Sequence, residues 1–205
     1  MDITDGSGLI AECVVATARP GELELAIIDR HSEPRPDPTV VVIQAIPKGD
    51  RGELAVELLT EVGADVIVPW AADRCVAVWR GERAVRSHAR WSSAAEQAAK
   101  QSRRAWFPEV AAPVDLAGAV RFVQTVDLAI LLDPGGDQSV GTVRLPDSGQ
   151  IVIIVGPEGG ITDAESDALV GAGAVPVALG PTVLRASSAG VVAAGVVLSR
   201  TRRWA

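Results

Sequence analysis

The stretch IVIIVGPEGGITDAE, Ile151–Glu165, passes from an unbroken β-branched block through a glycine turn into a helix start. A strand, a glycine loop and a helix in that order usually build a phosphate cradle. This loop is neither Gly-x-Gly-x-x-Gly nor a P-loop with a following Lys-Ser/Thr, and it carries a carboxylate at Glu158. A negative charge beside an anion costs Coulomb energy in a poorly screened pocket, so the loop suits a neutral or cationic ligand better than a phosphate. Thr162 can cap the helix while Glu165 reaches back, a capping box. From the loop alone, a plain strand-to-helix turn with capping acids stands as an even alternative.

A second glycine corner follows one helix later in VALGPTVLRASSAG, Val177–Gly190, and a third precedes both in LLDPGG, Leu131–Gly136. Around them, strands are expected at Val40–Ile46, Asp65–Trp70, Cys75–Trp79, Asp127–Asp133, Ile151–Gly156 and Ala174–Leu179. Helices are expected at Gly52–Val62, Arg83–Ser102, Asp163–Gly171 and Ser188–Arg202. Several of these strands are apolar throughout, as strands covered on both faces are. The fold class is therefore α/β, a mostly parallel sheet with helices on both faces. Ligands of such sheets sit beyond the carboxyl ends of the strands, where all three glycine corners fall, so one shared crevice is expected. Before this region, LIAECVVAT and ELELAIIDR read as two strands joined by ARPG, a fragment of a larger β module over residues 1–33. Three alternating prolines in HSEPRPDPT mark a semi-rigid linker at 34–39 that includes neither helix nor ladder.

Hydrophobic residues make up 48% and charged residues 22% of the 205, an ordinary globular balance. Cys13 and Cys75 match no metal spacing, so no metal is expected, and two unpatterned cysteines suit a reducing cytoplasm. The acidic start MDITDGSG is no signal peptide, and the longest apolar runs, such as AGVVAAGVVL, are too short for a bilayer. A net charge of −7 argues against a generic nucleic-acid binder. Its distribution argues otherwise: Arg74, Arg80, Arg83, Arg86, Arg90, Lys100, Arg103 and Arg104 face only Glu82 and Glu96 over one stretch. On a helical wheel Arg83, Arg86, Arg90, Ala94, Gln97, Gln101 and Arg104 share an arc of about 80°, with Trp91, Ala95 and Ala98 on another side. Such a stripe can follow a phosphate backbone, although a solvated face is the commoner meaning of an arbitrary charged helix. Trp79, Trp106 and Phe107 are candidates to stack on a base. His31, in the linker, and His88, beside the Trp91 face, are poor candidates for a base.

VGPEGGIT-x-x-E followed by LGPTVLR-x-x-x-AG resembles the paired C-terminal motifs of the RsmE-type SPOUT methyltransferases. The similarity extends upstream through QAIPKGDRGELAVELLTEVGADVIVPWAADRCV (Gln44–Val76) and RWSSAAEQAAKQSRRAWFPEV (Arg90–Val110). It implies S-adenosylmethionine-dependent methylation of N3 of a uridine in the decoding region of 16S ribosomal RNA, hence a small-ribosomal-subunit partner. It also implies a trefoil-knotted SPOUT domain over 40–205, a partial PUA-like barrel over 1–33, and a homodimer. By matching motifs, cofactor contacts fall to Gly156, Glu158, Gly159, Leu179, Gly180, Leu184 and Arg185, with Leu132 beside them. The sulfonium cation would make Glu158 tolerable. Catalytic candidates are Arg104 and Arg185 as donors to the developing oxyanion, and Glu158 as general base or as an orienting group. RNA candidates are Lys48, Arg51, Arg74, Arg83, Arg86, Arg90, Gln101 and Arg104. The chain departs from the family pattern where Ala186-Ser187-Ser188 stands for the usual Thr-Glu-Thr and Leu58 for a Lys, and it starts mid-barrel, so an open β edge and lowered RNA affinity are expected. Two alternatives remain at this point: a non-catalytic RNA-binding protein of ribosome assembly, and a Rossmann-like enzyme for a small nucleotide.

Overall fold

The computed structural model describes residues 1–204; Ala205, the last residue of the expected 40–205 domain, lies outside them. Ten strands and five helices follow one another along the chain among the described residues. The first three strands, β1 (Asp2–Thr4), β2 (Leu9–Arg19) and β3 (Glu22–Ser32), form a small antiparallel sheet. Then come β4 (Thr39–Ala45), α1 (Arg51–Val62), β5 (Val66–Trp70), α2 (Gly81–Gln101), β6 (Glu109–Val110) and α3 (Leu116–Gln124). The chain closes with β7 (Leu128–Leu132), β8 (Gln138–Ser139), β9 (Gln150–Val155), α4 (Asp163–Gly171), β10 (Val175–Ala178) and α5 (Ala186–Leu198). The second sheet has seven strands in the order β6-β5-β4-β9-β7-β10-β8, and every recorded pairing in it is parallel.

The apolar runs are explained by the two layers that cover this sheet. Val40 and Val42 of β4, Ile151, Ile153 and Val155 of β9 and Ile130 of β7 share one core with Leu59 of α1, Trp91 of α2 and Val197 of α5. The intervening Val41 and Ile43, Val152 and Ile154, and Leu131 enter the opposite core with Ala119 of α3 and Leu169 of α4. Alternation still governs the strands, but both faces bury mainly apolar groups, with Gln44 of β4 a buried polar exception that bonds the Ala186 carbonyl. No helix among the described residues is long and apolar enough to cross a membrane.

Two expectations need correction. No strand forms at Cys75–Trp79. The free edge of β5 is taken by β6, and the chain after β5 is drawn away by an Asp73 amide bond to Glu165 and an Arg74 bond to the Gly159 carbonyl. These ties override the strand propensity of CVAVW. His31 lies in β3, opposite Ile10, and not in the linker. The proline segment is itself fastened: Trp106 Nε1 donates to the Glu33 carbonyl at 3.0 Å, the Gly149 amide to Asp37 Oδ1 at 2.8 Å, and Arg203 to the Pro38 carbonyl at 3.1 Å. The small sheet docks on residues 105–107 through Gly8 N–Ala105 O and Phe107 N–Gly6 O hydrogen bonds of 3.0 and 2.9 Å.

Candidate active site

The four strands β4, β9, β7 and β10 run in one direction, so their carboxyl ends meet at one pole of the sheet. There, the three glycine corners converge as expected on a single cleft of about 710 Å³. Leu132, Asp133 and Pro134 come from the corner after β7, residues 155–158 and Gly160–Ile161 from the corner after β9, and residues 179–186 from the corner after β10. This volume lies within the roughly 300–1,000 Å³ of small-molecule sites, and strand carboxyl ends are where such sheets place them.

Local sequence shapes each wall. Gly160 turns at φ +77°, and its amide bonds the Pro157 carbonyl at 2.9 Å, which closes the GPEGG turn. A Cβ on Gly156 would stand 2.6 Å from Ile161 Cγ1, so only glycine permits that side chain to line the cleft floor. The capping box of α4 is present: Thr162 Oγ1 accepts from the Glu165 amide at 3.2 Å, and Glu165 Oε2 accepts from the Thr162 amide at 2.9 Å. Glu165 is 1% exposed, and its other oxygen takes the Asp73 amide at 2.8 Å. The amino end of α4 is thereby already supplied with an anion of its own. A phosphate there would compete with a built-in carboxylate.

Charge around the cleft points the same way. Asp133, Glu158 and Asp163 line it against the single guanidinium of Arg185. That excess of carboxylate favours a cationic ligand and disfavours an anionic one. Glu158 Oε1 accepts the Lys48 amide at 3.3 Å, which ties the turn after β4 to the cleft rim. Arg185 is the N-cap residue of α5; its carbonyl accepts from the Ser188 and Ala189 amides, each at 2.9 Å, while its guanidinium makes no hydrogen bond or ion pair with any described residue. No ion pair joins it to Glu158.

Of the expected cofactor residues, Leu132, Gly156, Glu158, Leu179, Gly180, Leu184 and Arg185 all line the cleft. Gly159 does not: its Cβ position is 3.0 Å from Arg74 Cβ, so it backs onto that side chain instead. Asp133, Pro181 and Thr182 also line the cleft but were absent from the expected set. All three stand beside the glycines in the LLDPGG and LGPTVLR corners, which is the signal the sequence carries for them.

The Arg104 assignment is overturned. Its Nε donates to Trp106 O at 3.0 Å, Nη1 to the Thr60 and Ala64 carbonyls, and Nη2 to Asp65 Oδ1 at 3.1 Å. Asp65 stands just before β5, at the pole opposite the cleft, and also binds Arg203 at 2.6 Å. Burial pulls the Arg104 pKa below its ordinary value, Asp65 pushes it back up, and Arg203 lowers it. With four of its five N–H donors taken and its side chain 12% exposed at the pole opposite the cleft, Arg104 is a structural ion-pair partner rather than a donor to an oxyanion or RNA. Trp106 and Phe107 are likewise taken: the Cβ positions of Gly8 and Gly6 lie 2.5 and 2.9 Å from their rings, and Arg35 stacks over Trp106 at 5.7 Å.

The rest of the cationic stripe is where the wheel puts it. Arg83, Arg86, Arg90, Gln97 and Gln101 are exposed along α2, while Trp91, Ala95 and Ala98 are buried behind them. Arg86 pairs with Glu82 at 3.1 Å and Arg90 with Glu53 at 3.7 Å, both on the surface. Lys48, Arg51 and Arg74 are exposed on the turn before α1, at its first residue and on the loop after β5. His88 is held by its Nε2 near the Val110 and Ala111 carbonyls, a packing role. Burial pushes the Cys75 thiol up from its ordinary pKa. Away from the cleft, Glu12, Asp29 and His31 lie together on the exposed β2–β3 hairpin.

The family model for the RNA methyltransferase domain matches residues 33–198. The chain is 44% identical over 204 residues to the ribosomal RNA small subunit methyltransferase E of Mycobacterium bovis, covering 98% of this chain and 78% of that protein. Among solved structures, it resembles a Legionella pneumophila methyltransferase in complex with its cofactor SAM, with a TM-score of 0.85, 26% identity, and coverage of 98% and 82% of the two chains. It also resembles the Neisseria gonorrhoeae ribosomal RNA small subunit methyltransferase E bound to S-adenosyl methionine, with a TM-score of 0.84, 26% identity, and coverage of 97% and 82%.

Proposed function

The chain belongs to the RNA methyltransferase domain family, and from that premise we propose that it methylates small-subunit ribosomal RNA with S-adenosylmethionine, at N3 of a uridine in the 16S decoding region. The observation that carries this reading is the acidic cleft of about 710 Å³ at the carboxyl pole, whose neighbouring helix start is already closed by Glu165. Those residues fit a cationic nucleoside without phosphate. Leu132, Gly156, Leu179, Gly180 and Leu184 would hold its neutral parts, and Glu158 would face its positive charge. When bound there, S-adenosylmethionine supplies an electrophilic methyl group on a sulfonium centre.

This chain's own task is to make N3 a nucleophile and to aim it. A uridine N3 is protonated, and on losing that proton its charge spreads onto O2 and O4. Glu158 accepts the proton, and the free guanidinium of Arg185 donates to the charged oxygen. Positioning of the acceptor ring between the corners contributes as well. Lys48, Arg51, Arg83, Arg86 and Arg90, with Arg74 and Gln101 beside them, form the RNA track. The exposed Arg86–Glu82 pair is weak in water, so exchanging Glu82 for phosphate oxygens costs little.

The proposal extends to the wider architecture. Residues 40–205 are a SPOUT domain whose glycine corners thread a trefoil knot, 34–39 a connection, and 1–33 part of a PUA-like barrel; two chains associate as a homodimer that acts in the cytoplasm. Convergence of corners from three separate segments on one cleft supports the first assignment. Methyl transfer from labelled S-adenosylmethionine to small subunits from cells lacking the modification tests the activity. Label at a single uridine N3 is expected; label on another base, or none, contradicts the assignment. Light scattering of the purified chain tests the dimer.

A further inference from the structure

Next to the cleft is a second, smaller pocket of about 250 Å³, between the start of α1 and one side of α2. The two share the turn after β4. The Lys48 amide bonds Glu158 at the cleft rim, while Pro47 and Gly49 on either side of Lys48 line the second pocket. A polymer lying in the cleft therefore meets this pocket one turn away.

Its lining is unusual for a solvated helix face. Ser87 is 8% exposed, and its hydroxyl makes no hydrogen bond to any described residue. On the same helix, Ser92 and Ser102 both bond back to the carbonyl four residues earlier, at 3.0 and 2.6 Å. The Ser87 hydroxyl, making no such bond, is left at the pocket wall to donate to or accept from a ligand. Trp79 lines the pocket and stands edge-on to Trp91, with ring centres 5.0 Å apart. A Cβ on Gly52 would lie 2.7 Å from Trp91 Nε1, so glycine lets α1 and the indole approach closely at the pocket wall.

The charges identify the ligand class. Arg83 and Arg90 are matched by Asp50 and Glu53, so the pocket has no net attraction for a phosphate. Its volume is below the roughly 300–1,000 Å³ of whole-cofactor sites. What it offers is an aromatic side chain, guanidinium donors, carboxylate acceptors and a hydroxyl. Guanine presents the complement: O6 and N7 accept from arginine, its N1–H and amino group donate to a carboxylate, and its ring stacks on an indole. Resting on the RNA-methyltransferase reading above, we propose that this pocket receives one unstacked guanine of the substrate RNA, near the nucleotide held in the cleft.

The test follows the indole N–H resonances during titration with GMP, AMP, UMP and inorganic phosphate in turn. GMP is expected to shift the Trp79 signal saturably and to bind about tenfold tighter than UMP. Glu53→Gln and Ser87→Val should each weaken it, and phosphate alone should shift nothing. A short single-stranded RNA with one guanine is expected to bind at least about tenfold tighter than GMP through added backbone contacts. Equal affinity would mark a free-nucleotide site and overturn the RNA assignment; no saturable shift, or an equal response to phosphate, would overturn the pocket itself. S-adenosylmethionine binding by the same wild-type sample separates the two readings. Intact cofactor binding with no guanine response removes only this pocket, whereas absent cofactor binding by the wild-type chain removes the parent function.

Discussion

Arg185 and Glu158 face the same cleft with different freedoms. The Glu158 carboxylate accepts the Lys48 amide, and the Arg185 guanidinium is unbound while its backbone is fixed into α5. Arg185→Ala is therefore expected to lower kcat by about 10²–10³-fold, as loss of an oxyanion donor does. Its Tm should move by less than about 2 °C, since no packed or paired group is lost. Glu158→Gln, removing the proton acceptor, is expected to lower kcat by about 10²–10⁴-fold in the same assay. A kcat within twofold or so of wild type for either variant removes that residue from the reaction. Cys75 gives a chemical check on the loop after β5. Its thiol pKa lies above the ordinary value because burial disfavours the thiolate, with Glu158 and Glu165 adding to the effect. Alkylation at pH 8 should run slower than that of free cysteine and accelerate as pH rises beyond the ordinary thiol range.

At the scale of elements, the Asp65 carboxylate joins the ends of several: Arg104 after α2, Arg203 after α5, and the Val40 amide at the start of β4. Both ion pairs are largely buried, with side chains 12% and 9% exposed. Asp65→Ala leaves two uncompensated guanidiniums and should cost roughly 3–5 kcal/mol in denaturant unfolding, without changing kcat per folded molecule. The same hub explains why the wheel misplaced Arg104. Helix α2 ends at Gln101, and Arg103 takes φ +54°, a left-handed turn that swings Arg104 off the stripe and toward Asp65. A wheel assumes the helix continues; backbone reversal at one non-glycine residue carries no sequence signal that periodicity can read. Helix α3 was missed for a different reason. LAGAVRFVQ has Gly118 where α4 has the Glu165 of its capping box, although Asp115 caps it by accepting the Gly118 amide at 2.8 Å. By contrast the α4 capping box and the strands β4, β7 and β9 were legible, because local chemistry and tertiary burial agree there.

For the whole molecule, the acidic cleft and the basic track divide labour on a chain of net charge −7. Binding of single-stranded RNA should weaken with salt in proportion to the phosphates neutralised, and Arg86→Ala should reduce the slope of log K against log salt by about 0.7. An unchanged slope would place Arg86 outside the track. The convergence of three glycine corners was readable in the sequence because parallel strands fix their carboxyl ends to one pole. The attachment of the small sheet was not, since it depends on Trp106 and Phe107 meeting Gly8 and Gly6 from a hundred residues away. The strongest test of the cleft is calorimetric titration with S-adenosylmethionine, on the wild-type chain and on Gly156→Ala, whose new Cβ must displace Ile161 from the floor. One-site binding around the micromolar range, clearly weakened in the variant, is the expected result. Silence with S-adenosylmethionine, or tighter binding of NAD or ATP, would contradict the assignment of this cleft to a methyl donor.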